Sequence, residues 1–77
     1  MLAQYTAYRN YKRESERLKQ RITVRPRDRA PRYALARLCL EYRQHSAAIA
    51  TLEEAERLLG ADATSRELLQ RARTEPE

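Results

Sequence analysis

Apolar side chains recur with the period of an α-helix in the centre of the sequence, and this feature limits the possible fold more than any other. The first stripe is spaced i, i+3, i+4 and i+7 and consists of Leu35, Leu38, Cys39 and Tyr42. The second stripe follows a polar break at residues 43–46 and consists of Ala48, Leu52, Ala55 and Leu59. Two amphipathic helices joined by so short a connection pack against each other as an antiparallel hairpin. The sequence therefore predicts helices over about residues 29–43 and 47–59.

Residues at the ends of these two helices carry signals that start and stop a helix. Asp28 is expected to cap the first helix, and Pro31 is tolerated in its first turn because amides there have no acceptor within the helix. Ser46 is the predicted cap of the second helix. Gly60, the only glycine, stands where a left-handed residue is wanted after a helix. These signals bound the hairpin to residues 29–60.

The N-terminal segment predicts a basic amphipathic helix within residues 1–24. One face of that helix, interrupted by Ser15, is formed by Tyr8, Tyr11, Leu18 and Ile22. Its other face is rich in lysine and arginine. The helix should end near residue 24, because a proline at position 26 disfavours helical geometry in the residue before it.

The C-terminal segment predicts a short capping helix over residues 64–73. It opens with Thr64 and Glu67 three residues apart, a capping-box pattern in which the two side chains satisfy free amides of the first turn. Residues 74–77 are expected to form a frayed tail. Since no segment alternates with period two, the predicted fold class is all-α. The chain should form a single domain over residues 1–77, a small bundle of three to four helices around one antiparallel hairpin.

Length and composition agree with this fold class and narrow the kinds of protein to consider. A chain of 77 residues is near the lower limit at which a hydrophobic core stabilises a fold alone. No stretch is long and apolar enough to span a membrane, and the first residues do not resemble a signal peptide. The single cysteine cannot form an internal disulfide, so a cytoplasmic location is expected.

Catalysis finds little support in the residue types present. The chain has one histidine and one cysteine, and it lacks a glycine-rich loop for phosphate groups. Cys39 lies on the apolar stripe, where a buried and unreactive thiol is expected. His45 lies in the break between the helices, where a local hydrogen bond with Glu41 is the simplest interpretation. We expect no enzyme activity, no cofactor and no metal site.

Five residues of the hairpin stand at a characteristic spacing of small and bulky side chains, namely Leu35, Ala36, Ala48, Leu52 and Ala55. This pattern resembles the tetratricopeptide repeat, a family of two-helix repeats of 34 residues. The sequence departs from the family pattern at Cys39, Arg43 and Gly60. Residues 29–60 are therefore interpreted as a single degenerate repeat of tetratricopeptide type.

A shift of one 34-residue period relates the N-terminal helix to this hairpin. Leu18 then falls on Leu52, and Pro26 falls on Gly60, where the family prefers proline. Glutamate and arginine, however, occupy two positions that the family reserves for small residues. Two interpretations therefore stay open, an unrelated helix or a degenerate part of a preceding repeat.

The resemblance implies an incomplete structure with a binding groove. A single repeat cannot bury both of its faces, so the first and last helices should act as caps, and a dimer or a larger partner should cover what remains. In the family, the ligand groove is lined chiefly by the first helix of each repeat. The matching positions, expected to be exposed, are Tyr33, Arg37, Leu40 and Glu41. The alternative is that Tyr33 belongs to the core and that Arg37 is simply solvated.

Tyrosines of the N-terminal helix allow two interpretations of the same kind. A tyrosine stripe formed by Tyr5, Tyr8 and Tyr11 most often packs against a core. It can also form an exposed docking face together with neighbouring basic residues, in which case the contact residues are Tyr5, Tyr8, Arg9 and Lys12.

Positive charge is concentrated at the N-terminal end of the chain. The net charge is +5, and residues 1–32 carry ten lysines and arginines but only three acidic residues. Such a surface over residues 9–32 can follow the phosphate backbone of a nucleic acid, but no nucleic-acid-binding motif accompanies it. A membrane surface would require bulkier apolar residues than tyrosine and serine. We therefore predict a non-enzymatic protein-interaction module, of the adaptor, co-chaperone or assembly-factor kind, that binds a protein partner or a second copy of itself. The basic N-terminal segment favours an acidic partner. Nucleic-acid binding is the alternative.

Overall fold

The computed structural model describes the backbone of residues 2–75 and the side chains of residues 7–75. Four helices follow one another along the chain: α1 (Leu2–Val24), α2 (Arg29–Glu41), α3 (His45–Leu59) and α4 (Ala63–Thr74). The predicted all-α fold, a small bundle of three to four helices, is confirmed. No described helix has the length and apolarity needed to cross a membrane.

The predicted hairpin of α2 and α3 forms the centre of the fold. Ala36 on α2 and Ala48, Leu52 and Ala55 on α3 are completely buried. Three of these four side chains are alanines, so the two helix backbones can approach closely. The remaining core is supplied mainly by apolar residues of α2 and α4, namely Tyr33, Leu35, Leu38, Cys39, Leu40, Leu68, Leu69 and Ala72.

Helix α1 packs against α2 through three of the four residues of the predicted face, while the fourth, Tyr8, is exposed. Tyr11, Leu18 and Ile22 are partly buried against the core. Ser15, which interrupts the apolar stripe, is nevertheless buried, because its hydroxyl donates to the backbone carbonyl of Lys12 at 3.0 Å and so carries no unsatisfied donor into the interface.

The turn between α2 and α3 differs from the prediction at both ends. Helix α2 ends at Glu41, two residues earlier than expected, and α3 begins at His45 rather than at residue 47. Arg43 has a φ of +58°, and the amide of Gln44 donates to the carbonyl of Cys39 at 2.7 Å. Backbone hydrogen bonds thus close the turn so tightly that Ser46 lies inside α3 instead of capping it, which corrects the predicted cap.

Helices α2 and α4 are both capped at the N-terminus by an aspartate. The side chain of Asp28 accepts a hydrogen bond from the amide of Ala30 at 3.1 Å, as predicted. Asp62 caps α4, and it forms a capping box with Ser65 in which each side chain accepts from the other residue's amide, at 2.8 and 2.9 Å. The box predicted for Thr64 and Glu67 is therefore wrong by two residues, because the aspartate is also held by α2 and starts the helix earlier. Asp62 follows Asp28 by 34 residues.

Gly60 occupies the turn between α3 and α4 with a φ of +89°, a conformation that residues with a Cβ rarely adopt. The guanidinium of Arg29, at the start of α2, donates to the carbonyls of Leu59 and Gly60 and to Asp62. This arginine therefore joins the start of α2 to the α3–α4 turn.

The helices pack in chain order, and the last one also contacts α2. Helix α1 packs on α2, α2 on α3, α3 on α4, and α4 returns to α2. The molecule measures 40 × 31 × 14 Å, so it is flat, and its two ends are formed by α1 and α4. Within the described residues no Cα atom of α1 lies within 8 Å of a Cα atom of α3 or α4, so one side of α2 beside α1 is not covered by a third helix.

Candidate protein-binding groove

A groove runs between the C-terminal half of α1 and the N-terminal half of α2. Its volume is about 660 Å³. The apolar part of its lining is formed by Leu18, Val24, Ala30, Pro31 and Ala34. The charged part is formed by Arg17, Arg21, Arg25 and Asp28, so three of its four charges are positive.

A second depression of about 450 Å³ continues this groove along the same pair of helices. The two depressions share four lining residues, namely Arg17, Leu18, Arg21 and Ala34. At its far end the groove is lined by Glu14, Arg37, Leu38 and Glu41. We call the whole surface the α1–α2 groove.

The arginine wall of the α1–α2 groove follows from helical geometry. Arg17, Arg21 and Arg25 are spaced by four residues, so α1 places the first two in one row and the third, just beyond its last turn, continues that row. At a rise of about 1.5 Å per residue, the row extends for about 12 Å. Its regular spacing can present guanidinium groups to a row of carboxylates on a second helix.

The residues predicted to line a groove on α2 divide into two pairs. Arg37 and Glu41 are exposed and line the α1–α2 groove. Tyr33 and Leu40 are buried in the core, so their expected exposure is wrong. The side of α2 that carries them is covered by its neighbouring helices, and the hydroxyl of Tyr33 donates to Asp62 Oδ1 at 2.9 Å. The alternative prediction, in which Tyr33 belongs to the core, is confirmed.

The residues predicted on α1 lie outside the groove or outside the described side chains. Tyr8 is 62% exposed, and Arg9 and Lys12 are exposed as well, but none of the three lines the groove. The side chain of Tyr5 lies outside the described residues. Tyr11 packs on Tyr42, with ring centroids 5.4 Å apart, so within the described tyrosines of α1 one packs and one is exposed.

Two arginines of the basic segment form hydrogen bonds and ion pairs within the fold. Arg32 is only 3% exposed, its Nε donates to the carbonyl of Pro26 at 3.1 Å, and one of its terminal nitrogens lies 3.9 Å from Glu54. Arg29 holds the α3–α4 turn and lies 3.2 Å from Asp62. The predicted basic surface over residues 9–32 is therefore less continuous than the sequence suggests.

The remaining candidate residues are structural. Cys39 is buried as expected, and burial raises the pKa of its thiol, so the reactive thiolate is disfavoured. Burial, together with its contact to Cys39, raises the pKa of Tyr11 to about 12. His45 is buried at the start of α3 and not in the interhelical break, which corrects its predicted place. Among the described residues, no three His, Cys, Asp or Glu side chains lie close enough to hold a metal ion.

The arginine row was not singled out from the sequence, although its signal is present there. Arg17, Arg21 and Arg25 appeared only as part of a basic segment, and their spacing by four residues could have identified them as one row. What the sequence could not show is that this row borders an apolar depression. Comparisons with protein-family models, curated proteins and solved structures found no match for the chain.

Proposed function

We propose that this protein is a non-enzymatic protein-interaction module, of adaptor, co-chaperone or assembly-factor type, and that it binds its partner through the α1–α2 groove. The observation that carries the proposal is the groove itself. It is continuous along two helices, it has an apolar floor, and it is bordered by a row of three arginines. Protein interfaces commonly have an apolar centre that is surrounded by a polar rim, and the groove has the same composition.

The arrangement of the helices supports a repeat of tetratricopeptide type as the basis of this function. The two capping aspartates, Asp28 and Asp62, are 34 residues apart, which is the length of one such repeat. Helix α4 packs on both helices of the hairpin, as the first helix of a following repeat would. Proteins built from such repeats bury each face against a neighbour, so an uncovered face is a natural place for a partner.

Nucleic-acid binding is less well supported by the same structure. Arg29 and Arg32 are occupied by carbonyl and carboxylate partners within the fold, so they do not contribute to a phosphate-binding track. The arginine row also borders an apolar floor that a phosphate backbone would not cover. A protein surface matches both parts of the groove.

Site-specific photo-crosslinking in cells tests the proposal. A benzophenone amino acid is placed at Arg37 in the groove or, as a control, at the exposed Glu67 on α4. Protease-sensitive adducts at Arg37 but not at Glu67 are expected. Nuclease-sensitive adducts at Arg37 would favour the nucleic-acid alternative, and the absence of groove-specific adducts would contradict the proposal.

A further inference from the structure

The α1–α2 groove has an internal counterpart that is already occupied by a helix. A shift of 34 residues carries the C-terminal part of α1 onto α3, and α2 onto α4. Leu18, Pro31 and Ala34 of the groove floor are then matched by core residues of α3 and α4, namely Leu52, Ser65 and Leu68. These counterparts are buried where α2 packs against both α3 and α4. The groove is thus the position in which a helix equivalent to α2 would lie.

The size of the groove agrees with a helix as its occupant. Along α1 its lining runs from Glu14 to Arg25, which corresponds to about 16 Å of helix axis. That length accommodates about three turns, close to the 13 residues of α2 itself. The small side chains of Ala30 and Ala34 on the α2 side allow a helix to approach closely.

The charges of the groove differ from those of its counterpart and indicate the kind of helix. Four arginines and three carboxylates line the groove, and the carboxylates lie towards its two ends, Asp28 at one and Glu14 and Glu41 at the other. The arginines of the α1 side form a continuous row between them. Arg17, Arg21 and Arg25 are matched after the 34-residue shift by neutral residues, namely Thr51, Ala55 and Leu59. Neutral residues thus lie beside α2, whereas guanidinium groups lie at the equivalent positions beside the groove. A helix that covers this row needs carboxylates at matching intervals, because unpaired charges would otherwise be desolvated at its edge.

We propose that the α1–α2 groove binds an acidic amphipathic helix of another protein, which packs between α1 and α2 as α2 packs between α3 and α4. The inference rests on the proposed function and adds the class of partner. The apolar face of the bound helix covers Leu18 and Ala34, and its carboxylates lie beside Arg17 and Arg21. In this arrangement the protein contributes the two neighbouring helices of a three-helix unit, and the partner contributes the third.

A second copy of the chain fits this groove poorly. Helix α2 is basic, so its counterpart in another copy would bring arginines against the arginine row. Helix α3 is the most acidic helix, but its three glutamates already have partners. Glu53 lies 3.1 Å from Arg73, Glu54 lies 3.9 Å from Arg32, and Glu56 accepts from Ser65 at 2.7 Å. The overall charge of +5 adds repulsion between copies.

Within residues 7–75, the depression at the opposite end of the molecule does not match the α1–α2 groove. A depression of about 380 Å³ beside α4 is lined in part by Gln70, Arg73 and Thr74. After the 34-residue shift these residues correspond to buried residues of α2, namely Ala36, Cys39 and Leu40. Polar side chains therefore occupy the positions where a docked helix would need apolar ones. The surface at this end is compatible with exposure to water. Helix docking is expected only beside α1.

Binding of defined peptides tests the inference. The probe is a fluorescent peptide of about four helical turns, with leucines on one face and glutamates spaced by four residues beside them. Two control peptides are used. One has lysines in place of the glutamates, and the other is the acidic peptide with a proline substituted at its centre, which breaks the helix. Fluorescence anisotropy should show about tenfold tighter binding of the acidic helix than of either control.

Variants of the protein locate the site. The double substitution Arg17→Glu with Arg21→Glu should weaken the acidic peptide at least about tenfold and should favour the lysine peptide instead. Arg57→Glu with Arg66→Glu, on the exposed surfaces of α3 and α4, makes the same change in charge outside the groove; it is the matched control and should leave binding unchanged. Ala34→Leu fills the groove without changing charge and should also weaken binding. Circular dichroism confirms that each variant is folded.

Four results would overturn the inference. If the proline-containing peptide binds as tightly as the acidic helix, the protein recognises charge alone. If the double variant binds the acidic peptide as tightly as the original protein does, the site lies elsewhere. Tighter binding of a single-stranded oligonucleotide in competition with the acidic peptide would favour nucleic acid. If the acidic helix fails while protein adducts at Arg37 persist, the class of partner is wrong but the proposed function stands.

Discussion

Leu52 should be the most costly leucine of the hairpin to truncate, because it is the largest side chain with no exposed surface. Leu52→Ala removes three carbon groups, which at about 0.8 kcal/mol each amounts to about 2.4 kcal/mol of lost transfer free energy. The cavity that remains raises the total to about 3–4 kcal/mol, since alanines on both helices already place the backbones close together and limit collapse. A domain of this length has a stability of about 4–11 kcal/mol, so the loss is a large part of it.

The matched control for this substitution is Leu58→Ala on the same helix. Leu58 is 55% exposed, so less than half of the transfer term is lost and the cost should be about 1 kcal/mol or less. Urea unfolding followed by far-ultraviolet circular dichroism measures both variants, with a stabilising osmolyte added if Leu52→Ala is unfolded in buffer. The packing described here is refuted if Leu52→Ala costs less than about 1 kcal/mol, or if the two variants cost the same.

Three further substitutions probe other parts of the fold. Ala55→Leu should overpack the α2–α3 interface and lower the free energy of unfolding by about 1–3 kcal/mol, and unchanged urea unfolding would show that the two helices are in a different register. Asp62→Ala should lower the melting temperature more than Asp28→Ala, because Asp62 accepts hydrogen bonds from α2 as well as capping α4; equal shifts in thermal unfolding would exclude this link. Because the pKa of Tyr11 is raised from 10.0 to about 12 in the folded state, the unfolded state loses this proton first, and stability should fall as the pH rises from about 10 to about 12. Tyr11→Phe should remove the latest tyrosine ionisation seen by ultraviolet absorbance, and a spectrum that keeps this phase would assign the raised pKa to another tyrosine.

Local rules predicted the secondary structure with errors of a few residues at most. The apolar stripes of α2 and α3 depend only on helical periodicity, and Asp28 and Gly60 act through their own backbone neighbours. The wrong cap at Ser46 came from local backbone hydrogen bonds that close the turn early, whereas the wrong capping box of α4 came from distant residues. Asp62 starts α4 because Tyr33 and Arg29 hold its side chain, and both are about 30 residues away in the chain. No local pattern contains that information.

The sequence by itself determined that this chain forms four helices, that α2 and α3 form a hairpin with small residues at the contact, and that positive charge is concentrated before residue 33. Each of these properties follows from residue type and spacing within about ten positions. The tertiary structure decided which sides of α2 are covered, and therefore that Tyr33 and Arg32 are buried while Arg37 is exposed. It also decided that the arginine row of α1 borders an apolar groove, because a groove exists only where two helices meet and a third does not cover them.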